Sequence, residues 1–416
     1  MILNGTATQD EKFKSAPNGT KGLDKLIDVK NAYRITDRLA FPRLIGSKGE
    51  KKAIEIVVDE FKNAGFISVN RQKFKTSFHN FIYSRYIFLI LGTGLIFLGL
   101  SYYINVFLTL CLIFLFLFIS FKALQTATST KMKLSRNKSN NYETENIWVN
   151  LENKNTNSRV VFMAHWDSKS QTFPSTIRVM IFLIFTFGAL LLYLIFFILS
   201  IIKIFVNFDI PLLKNVLLDI CLIIALIGGL NYFNKTGNFS PGAFDNAAGV
   251  GVILELARYY KINPPHNLDL TFLSPGSEEL NLGGAIRFIE KLKNHLSKDT
   301  TFFINLDLIG GAEIIRLISS YGIPRKISSK KLNVLFKESA KENQIKMRDI
   351  YSPTGSWSDF MPIVQEGFEA CWLGSQPGLK YVHTKKDNMS LVSKEGLKNI
   401  ITLCIDVVKK LDLEFS

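Results

Sequence analysis

Six side chains in this sequence share a setting. His165, Asp245, Glu278, Glu279, Asp307 and His383 each fall at the end of an apolar run or in the loop just after one. In chain order they read His, Asp, Glu-Glu, Asp, His. Two imidazoles, three carboxylates and a further carboxylate left free as a base are what a co-catalytic metal pair requires. Taken singly, each has an ordinary explanation. His165 and Asp167, two apart at a strand end, share a face and could simply hydrogen-bond one another. Asp245 in "PGAFDNAAG" stands where a loop enters a helix, the usual place of an N-cap. Glu278 and Glu279 in "FLSPGSEELNLGG" could be a solvated acidic pair. Asp307 in "FFINLDLIGG" and His383 in "YVHTKKDN" decide little alone. Their joint occurrence carries the argument.

Such a set needs a scaffold that brings distant strand ends together. "GSKGEKKAIEIVVDEFKNAGF" (Gly46–Phe66) has helical periodicity, with Ala53, Ile54, Val57, Val58 and Phe61 on one stripe and a stop at Gly65. "ISVNRQKFKT" and "ENIWVNLE" (Glu145–Glu152) alternate as strands do. "RVVFMAH" is a short continuous apolar run, as expected of a strand buried on both faces. Next come a helix over Ala247–Tyr260, a strand "LDLTFLSP", a helix "LGGAIRFIEKLKNHL" and a strand "TTFFINLDLIGG". "KMKLSRNKSNNYETEN" (Lys131–Asn146) reads as a polar linker. The alternation predicts an α/β fold with a mostly parallel central sheet flanked by helices. Ligand groups then belong at the carboxyl ends of the strands.

The motifs resemble the clan MH di-zinc metallopeptidases, the group of bacterial leucyl-type aminopeptidases and glutamate carboxypeptidase. The family patterns AH-x-DS, GADDN-x-(S)G, (G)xEE-x-GLxGS, NLDMIG and HT-xx-D are matched by "AHWDS", "GAFDNAAG", "GSEELNLGGA", "NLDLIG" and "HTKKD". The resemblance covers roughly residues 40–76, 145–170 and 235–410. It implies a zinc aminopeptidase-like fold and two Zn²⁺ ions, with Co²⁺ or Mn²⁺ as substitutes. His165 and Asp307 would hold one ion, Glu279 and His383 the other, and Asp245 would bridge them. Asp167 would accept the second ring N–H of His165, and Glu278 would be the general base. "GSWSDF" resembles the family's segment near the substrate pocket, which makes Ser358 and Asp359 substrate-side candidates. The sequence departs from the family at Phe244, where an acid is usual, at Ala248 for a common Ser, and at Trp166 for a frequent Tyr. The activity implied is a membrane-bound exopeptidase acting on peptides, chiefly an aminopeptidase. A carboxypeptidase, a glutaminyl cyclase on the same fold, or a non-catalytic membrane receptor or assembly protein are the alternatives.

Two apolar blocks interrupt this pattern. Tyr86–Phe121 holds 36 residues without a charge. As one helix it would be about 54 Å long against a hydrocarbon core of about 30 Å, so two spans joined near Ser101–Asn105 fit better. The second block has spans near Val179–Ile202 and Leu213–Phe233, the latter interrupted by Asp219. Strands lie before, between and after the blocks, so each block must leave and return on one side of a bilayer. The expected organisation is a tail over 1–39, a discontinuous peptidase domain over 40–84, 122–176 and 235–416, and hairpins over 85–121 and 177–234. Four spans result. Lysines and arginines crowd the enzyme-side flanks, so the catalytic part is expected on the cytoplasmic face. The first 30 residues lack an apolar h-region, hence no cleavable signal peptide is expected. The formal net charge is +15, and 47% of residues are hydrophobic. With no zinc finger, RNP-type motif or basic helix, that charge points to an anionic lipid face and not to nucleic acid. The four cysteines form no CxxC pair, so neither a disulfide framework nor a thiolate zinc site is expected. Oligomeric state is not encoded in any feature read here.

Overall fold

The computed structural model describes residues 27–127, 141–153, 156, 158–206, 209–353 and 358–416. In chain order the elements begin with α1 (Val29–Leu39), α2 (Lys48–Asn63), β1 (Asn70–Ser77), α3 (His79–Ile104), α4 (Val106–Ala127), β2 (Asn141–Leu151) and β3 (Arg159–Met163). There follow β4 (Ser170–Gln171), α5 (Ser175–Phe205), α6 (Pro211–Gly229), β5 (Thr236–Gly237), α7 (Ala248–Ile262), β6 (Asp269–Ser274) and α8 (Gly283–Leu292). The chain ends with β7 (Thr301–Leu306), β8 (Ile315–Tyr321), β9 (Lys326–Ile327), α9 (Lys330–Glu342), β10 (Met347–Ser352), α10 (Phe360–Gln365), β11 (Glu369–Ser375) and α11 (Lys394–Glu414).

The central sheet has nine strands in the order β1-β2-β6-β3-β7-β11-β8-β10, with β9 paired to β8. Parallel pairing holds in the middle, where β3 lies between β6 and β7 and β11 extends β7. Antiparallel pairs flank it, β1 with β2 and β2 with β6 on one side and β8 with β11 on the other. The sheet is therefore mixed, and its parallel part is the part that carries the site. Alternation along β3 feeds two separate cores. Val160 and Phe162 face the side covered by α1, α2, α7 and α11, while Val161 and Met163 face the side of α8 and α10.

Local signals are met where the sequence carries them. Ser47 Oγ accepts from Glu50 N at 3.3 Å and the Glu50 carboxylate accepts from Gly46 N at 2.6 Å, a capping box that starts α2. Two expected boundaries shift. The tail expected over 1–39 is shorter, because residues 29–39 form α1 and bury Ala32, Ile35 and Leu39 against the core. The rest of that tail lies outside the described residues. β2 begins at Asn141, inside the expected linker, because β1 pairs with it along its whole length from Asn70↔Trp148 to Ser77↔Asn141.

Among the described residues, four helices are long and apolar enough to cross a membrane: His79–Ile104, Val106–Ala123, Ser175–Phe205 and Pro211–Phe233. The first block breaks at Asn105, whose Oδ1 accepts from Phe107 N at 2.8 Å. The four pack together around a third core of Leu95, Leu98, Phe185, Phe196 and Cys221. α3 and α6 approach closely because Gly92 lies against the backbone of Ala225, where a Cβ would stand 3.1 Å from the carbonyl oxygen. Outward they present Phe97, Phe107, Phe187 and Leu226, all more than 60% exposed. All four cysteines are free.

Candidate metal centre

The parallel strands point their carboxyl ends at one edge of the sheet, and the candidate residues gather there. β3 ends two residues before His165, β7 ends immediately before Asp307, and β6 leads into the turn carrying Glu278 and Glu279. β11 leads into the loop that carries His383, and the segment entering α7 carries Asp245. His165, Asp245, Glu279 and Asp307 are buried. His383 is half-buried, and the Glu278 side chain is 9% exposed.

Asp245 lies between the two imidazoles. Its Oδ1 is 3.2 Å from His165 Nε2 and its Oδ2 is 3.3 Å from His383 Nε2. On one side His165 Nε2 also lies 3.5 Å from Asp307 Oδ1 and 3.8 Å from Glu278 Oε2. On the other, His383 Nε2 lies 3.0 Å from Glu279 Oε2. The arrangement gives two trios, His165–Glu278–Asp307 and Asp245–Glu279–His383, each with its ligand atoms within 4.8 Å of one another. Within the first, His165 Nε2 and Asp307 Oδ1 are buried without a hydrogen-bond partner. Two lone-pair donors left unpaired in a buried site fit a cation that the donors would share.

The N-cap explanation of Asp245 does not hold, because its neighbour does that work. Asn246 Oδ1 accepts from Gly249 N at 3.2 Å and Asn246 Nδ2 donates to Leu306 O at 2.7 Å. A Cβ on Gly249 would come within 2.3 Å of that amide oxygen and 2.7 Å of Leu306 O, so only glycine fits. Phe244, the departure from the family pattern, is fully buried in the second core, and Asp387 Oδ1 accepts its backbone N–H at 2.7 Å. Asp245 thus stays free to face the imidazoles.

Asp167 has a different job from the one expected. The nearest acceptor for His165 Nδ1 is the Asp167 backbone carbonyl at 3.2 Å, and the carboxylate stands 3.6 Å away. That carboxylate accepts from Glu278 N and Glu279 N, both at 3.2 Å, and so fixes the Glu-Glu turn. Ser358 and Asp359 are fully buried and do not line a substrate surface. Ser358 Oγ donates to Asp307 Oδ2 at 2.5 Å and accepts from Asn305 Nδ2 at 2.6 Å, which aims the Asp307 carboxylate.

Several contributors are not visible in the motifs. Lys169 Nζ pairs with Glu279 Oε2 at 2.8 Å, and Gln171 Oε1 lies 3.0 Å from His383 Nδ1. Arg43 is fully buried and donates to the carbonyls of Trp166, Leu39, Phe41, Pro241 and Gly242. Gly242, at φ +59°, turns the chain toward it. Burial alone gives a basic residue of ordinary surface type no sequence signature.

The acids divide by surroundings. Burial and the nearby Glu279 and Asp307 charges, opposed by His165, push the Glu278 carboxyl well above its usual range. Burial also raises Glu279, but His383 and Lys169 outweigh it and hold the carboxyl down to about 2. Asp245 likewise stays ionised against burial because both imidazoles face it. Burial pushes Asp359 up to about 8, helped by the Asp167, Asp307 and Glu279 charges and opposed by His165. Adjacent glutamates with opposite shifts are suited to different roles.

A helix-covered mixed sheet carries paired imidazole–carboxylate trios at its parallel strand ends, a donor set that could hold metal ions. Residues 231–408 match the pattern of Peptidase family M28, and over that segment the chain is similar to this family of clan MH metallopeptidases. Among curated proteins it is similar to aminopeptidase YwaD of Bacillus subtilis (strain 168), 28% identical over 189 residues, 41% of this chain and 39% of that one. It is also similar to the alkaline phosphatase isozyme conversion protein of Escherichia coli (strain K12), 38% identical over 74 residues, 18% of this chain and 21% of that one. The chain thus spans well under half the length of either relative. Among solved structures, the aminopeptidase of Aneurinibacillus sp. strain AM-1 superposes with a TM-score of 0.55 at 15% identity, covering 93% of this chain and 94% of that one. A glutaminyl cyclase of an Acidobacteriales bacterium superposes with a TM-score of 0.54 at 14% identity, covering 93% and 96%. These two likenesses establish the fold.

Proposed function

We propose that this chain is a membrane-embedded, zinc-dependent exopeptidase of aminopeptidase type, acting on peptides with a metal pair and a glutamate base. The observation that carries the reading is the Asp245 carboxylate, which turns one oxygen to each of the two imidazoles, His165 in one trio and His383 in the other. In this reading His165 and Asp307 hold one ion, Glu279 and His383 the other, and Asp245 spans both. A zinc pair, when bound, supplies Lewis acidity to water and to the scissile carbonyl. Glu278 lies within reach of the first trio but has no backbone or cation partner for its carboxylate. Its raised affinity for a proton suits it to take one from the attacking water at Oε2 and return it to the leaving amine. Asp167 keeps Glu278 and Glu279 on one turn, and Ser358 holds Asp307. The aminopeptidase assignment leans on the named relative from B. subtilis.

The catalytic unit is read as discontinuous, built from residues before, between and after the two apolar hairpins, with four membrane spans and the enzyme on the cytoplasmic face. The basic flanks that support this sidedness include Lys75, Arg85 and Lys122. Replacing Glu278 with Gln tests the reading. We expect hydrolysis of aminoacyl substrates to fall by at least about a thousandfold while elemental analysis still finds two zinc ions per chain. Full activity in that variant would end the assignment of the base. One zinc per wild-type chain together with cyclisation of N-terminal glutamine would place the protein with the cyclases instead.

A further inference from the structure

Two arginines outside the acid cluster reach it, and their hydrogen bonding separates them. Arg43 has all three guanidinium nitrogens on backbone carbonyls, and its role is structural. Arg178, in the first turn of α5, is half-buried. Its Nη2 donates to Ser175 Oγ at 2.7 Å and lies 2.9 Å from His383 Nδ1, and its Nε is buried without a partner. No carboxylate forms an ion pair with it among the described residues. An arginine at the head of an apolar helix ordinarily reaches outward to head groups. This one turns inward to the site.

Its contact with His383 is contested. Gln171 Oε1 can only accept and Arg178 can only donate, so one ring nitrogen cannot serve both. Were a metal ion held by His383 Nε2 together with Asp245 and Glu279, the ring would carry its N–H on Nδ1, and Gln171 would be the acceptor. The guanidinium is left beside the site with Nη2 on Ser175 Oγ, its Nε unpartnered, and no carboxylate acceptor among the described residues. Resting on the exopeptidase reading above, we infer that Arg178 is the substrate's carboxylate anchor. It binds the free C-terminal carboxylate of a dipeptide or of a leaving C-terminal residue. A planar fork of donors matches a carboxylate through paired hydrogen bonds. A terminal carboxylate stands at a fixed backbone distance from the scissile bond, which suits an anchor held on a rigid helix.

The test uses the full chain in nanodiscs with zinc, comparing Ala-Ala, Ala-Ala-amide, and two amides bearing an acidic side chain, Ala-Asp-amide and Asp-Ala-amide. Wild type is expected to favour Ala-Ala over Ala-Ala-amide by roughly 10–100-fold in kcat/KM, mainly through KM. Arg178→Gln should bring that ratio toward one, and Arg178→Lys should keep part of it. Binding measured calorimetrically in the Glu278→Gln background should show the same preference without turnover, lost in the double variant. A preference that follows the acidic side chains and not the free terminus overturns the inference that the C-terminal carboxylate is the anchored group. Equal handling of acids and amides by wild type, or a preference that survives Arg178→Gln, overturns the inference and leaves the peptidase reading standing. If zinc-loaded wild type hydrolyses none of the four, the peptidase reading fails and this inference falls with it.

Discussion

Asp167→Asn alters one atom type at the base of the site and has a calculable cost. Asp167 is fully buried and its two carboxylate oxygens accept from Glu278 N and Glu279 N, both at 3.2 Å. Hydrogen bonds to a buried charge are worth about 1.5–3 kcal/mol each. Asparagine keeps one acceptor and turns an amide N–H₂ at the other backbone N–H, so one bond is lost and a buried donor is left unpaired. With about 1–3 kcal/mol for the unpaired donor the sum is about 2.5–6 kcal/mol, which at about 2–4 °C per kcal/mol lowers the melting temperature by roughly 5–24 °C. The turn it loosens carries Glu279, whose Oε2 is 3.0 Å from His383 Nε2. Substitutions behind a ligand typically weaken metal binding 10–100-fold, and the same is expected here. Thermal unfolding in detergent and zinc affinity by chelator competition read the two effects separately. Glu278→Gln is the control, since it changes the same turn without touching its backbone bonds. Asp167→Asn protein that melts within about 1 °C of wild type and binds zinc within about twofold would refute the claim that this carboxylate holds the turn.

Ser358→Ala removes the hydroxyl that donates to Asp307 Oδ2 at 2.5 Å and, on the proposed metal pair, should weaken zinc binding at the His165–Asp307 side by roughly tenfold while sparing the other. Stepwise chelator titration resolves the two. Arg43→Met removes the guanidinium from five carbonyls, of which Leu39 O and Gly242 O keep a backbone N–H and three lose their side-chain donor, and should destabilise the fold by about 3–5 kcal/mol, measured by urea unfolding. For metal-free protein a pH dependence follows from Asp359, which keeps its proton up to about 8 in the fold against 3.8 ordinarily. Between those values the folded state binds the extra proton, so stability falls as pH rises through the window. Melting of the chelated protein should drop between pH 5 and pH 8, and Asp359→Asn should flatten that slope.

Much of the candidate site was legible because His165, the Glu278–Glu279 pair and Asp307 each follow an apolar run that forms a strand. "RVVFM" and "TFFINL" are apolar at every or nearly every position, which only a strand buried on both faces requires, and the residues that break them, His165 and Asp307, are those at the sheet edge. The break at Asn105 was likewise readable from length alone, since one helix could not fit a bilayer. What escaped reading was set by partners far along the chain. The stripe Ala32, Ile35, Thr36 and Leu39 of α1 is interleaved with Arg34, Asp37 and Arg38, and only its packing on α7 reveals it as core. No strand is read between 312 and 368, where β8 to β10 form the sheet's exposed end. Asp167, Ser358 and Arg43 act through backbone atoms or through another side chain, and nothing in their local sequence announces the partner.

The second apolar hairpin sits between His165 and Asp245, and its placement is more than an anchor would need. An anchor could be joined anywhere on the surface by a free linker. Here both hairpins enter the sheet's ligand edge. Phe81, in the first turn of α3, lies 4.8 Å beneath Lys169 Nζ, which in turn is 2.8 Å from Glu279 Oε2. Arg178, in the first turn of α5, lies 2.9 Å from His383 Nδ1. Glu279 and His383 belong to the same trio, so two apolar helices each stand one side chain from its ligand atoms. The two-stranded ribbon β4–β5, whose Gln171 also faces His383, is the stem of the second hairpin. Geometry at this trio therefore depends on how the apolar bundle packs, through Gly92 on Ala225 and Phe185 against Gly228, as well as on the sheet. On the function proposed above, a sheet domain cut free of its hairpins would lose the Arg178 and Phe81 contacts together, and should bind metal at His165 and Asp307 better than at Glu279 and His383.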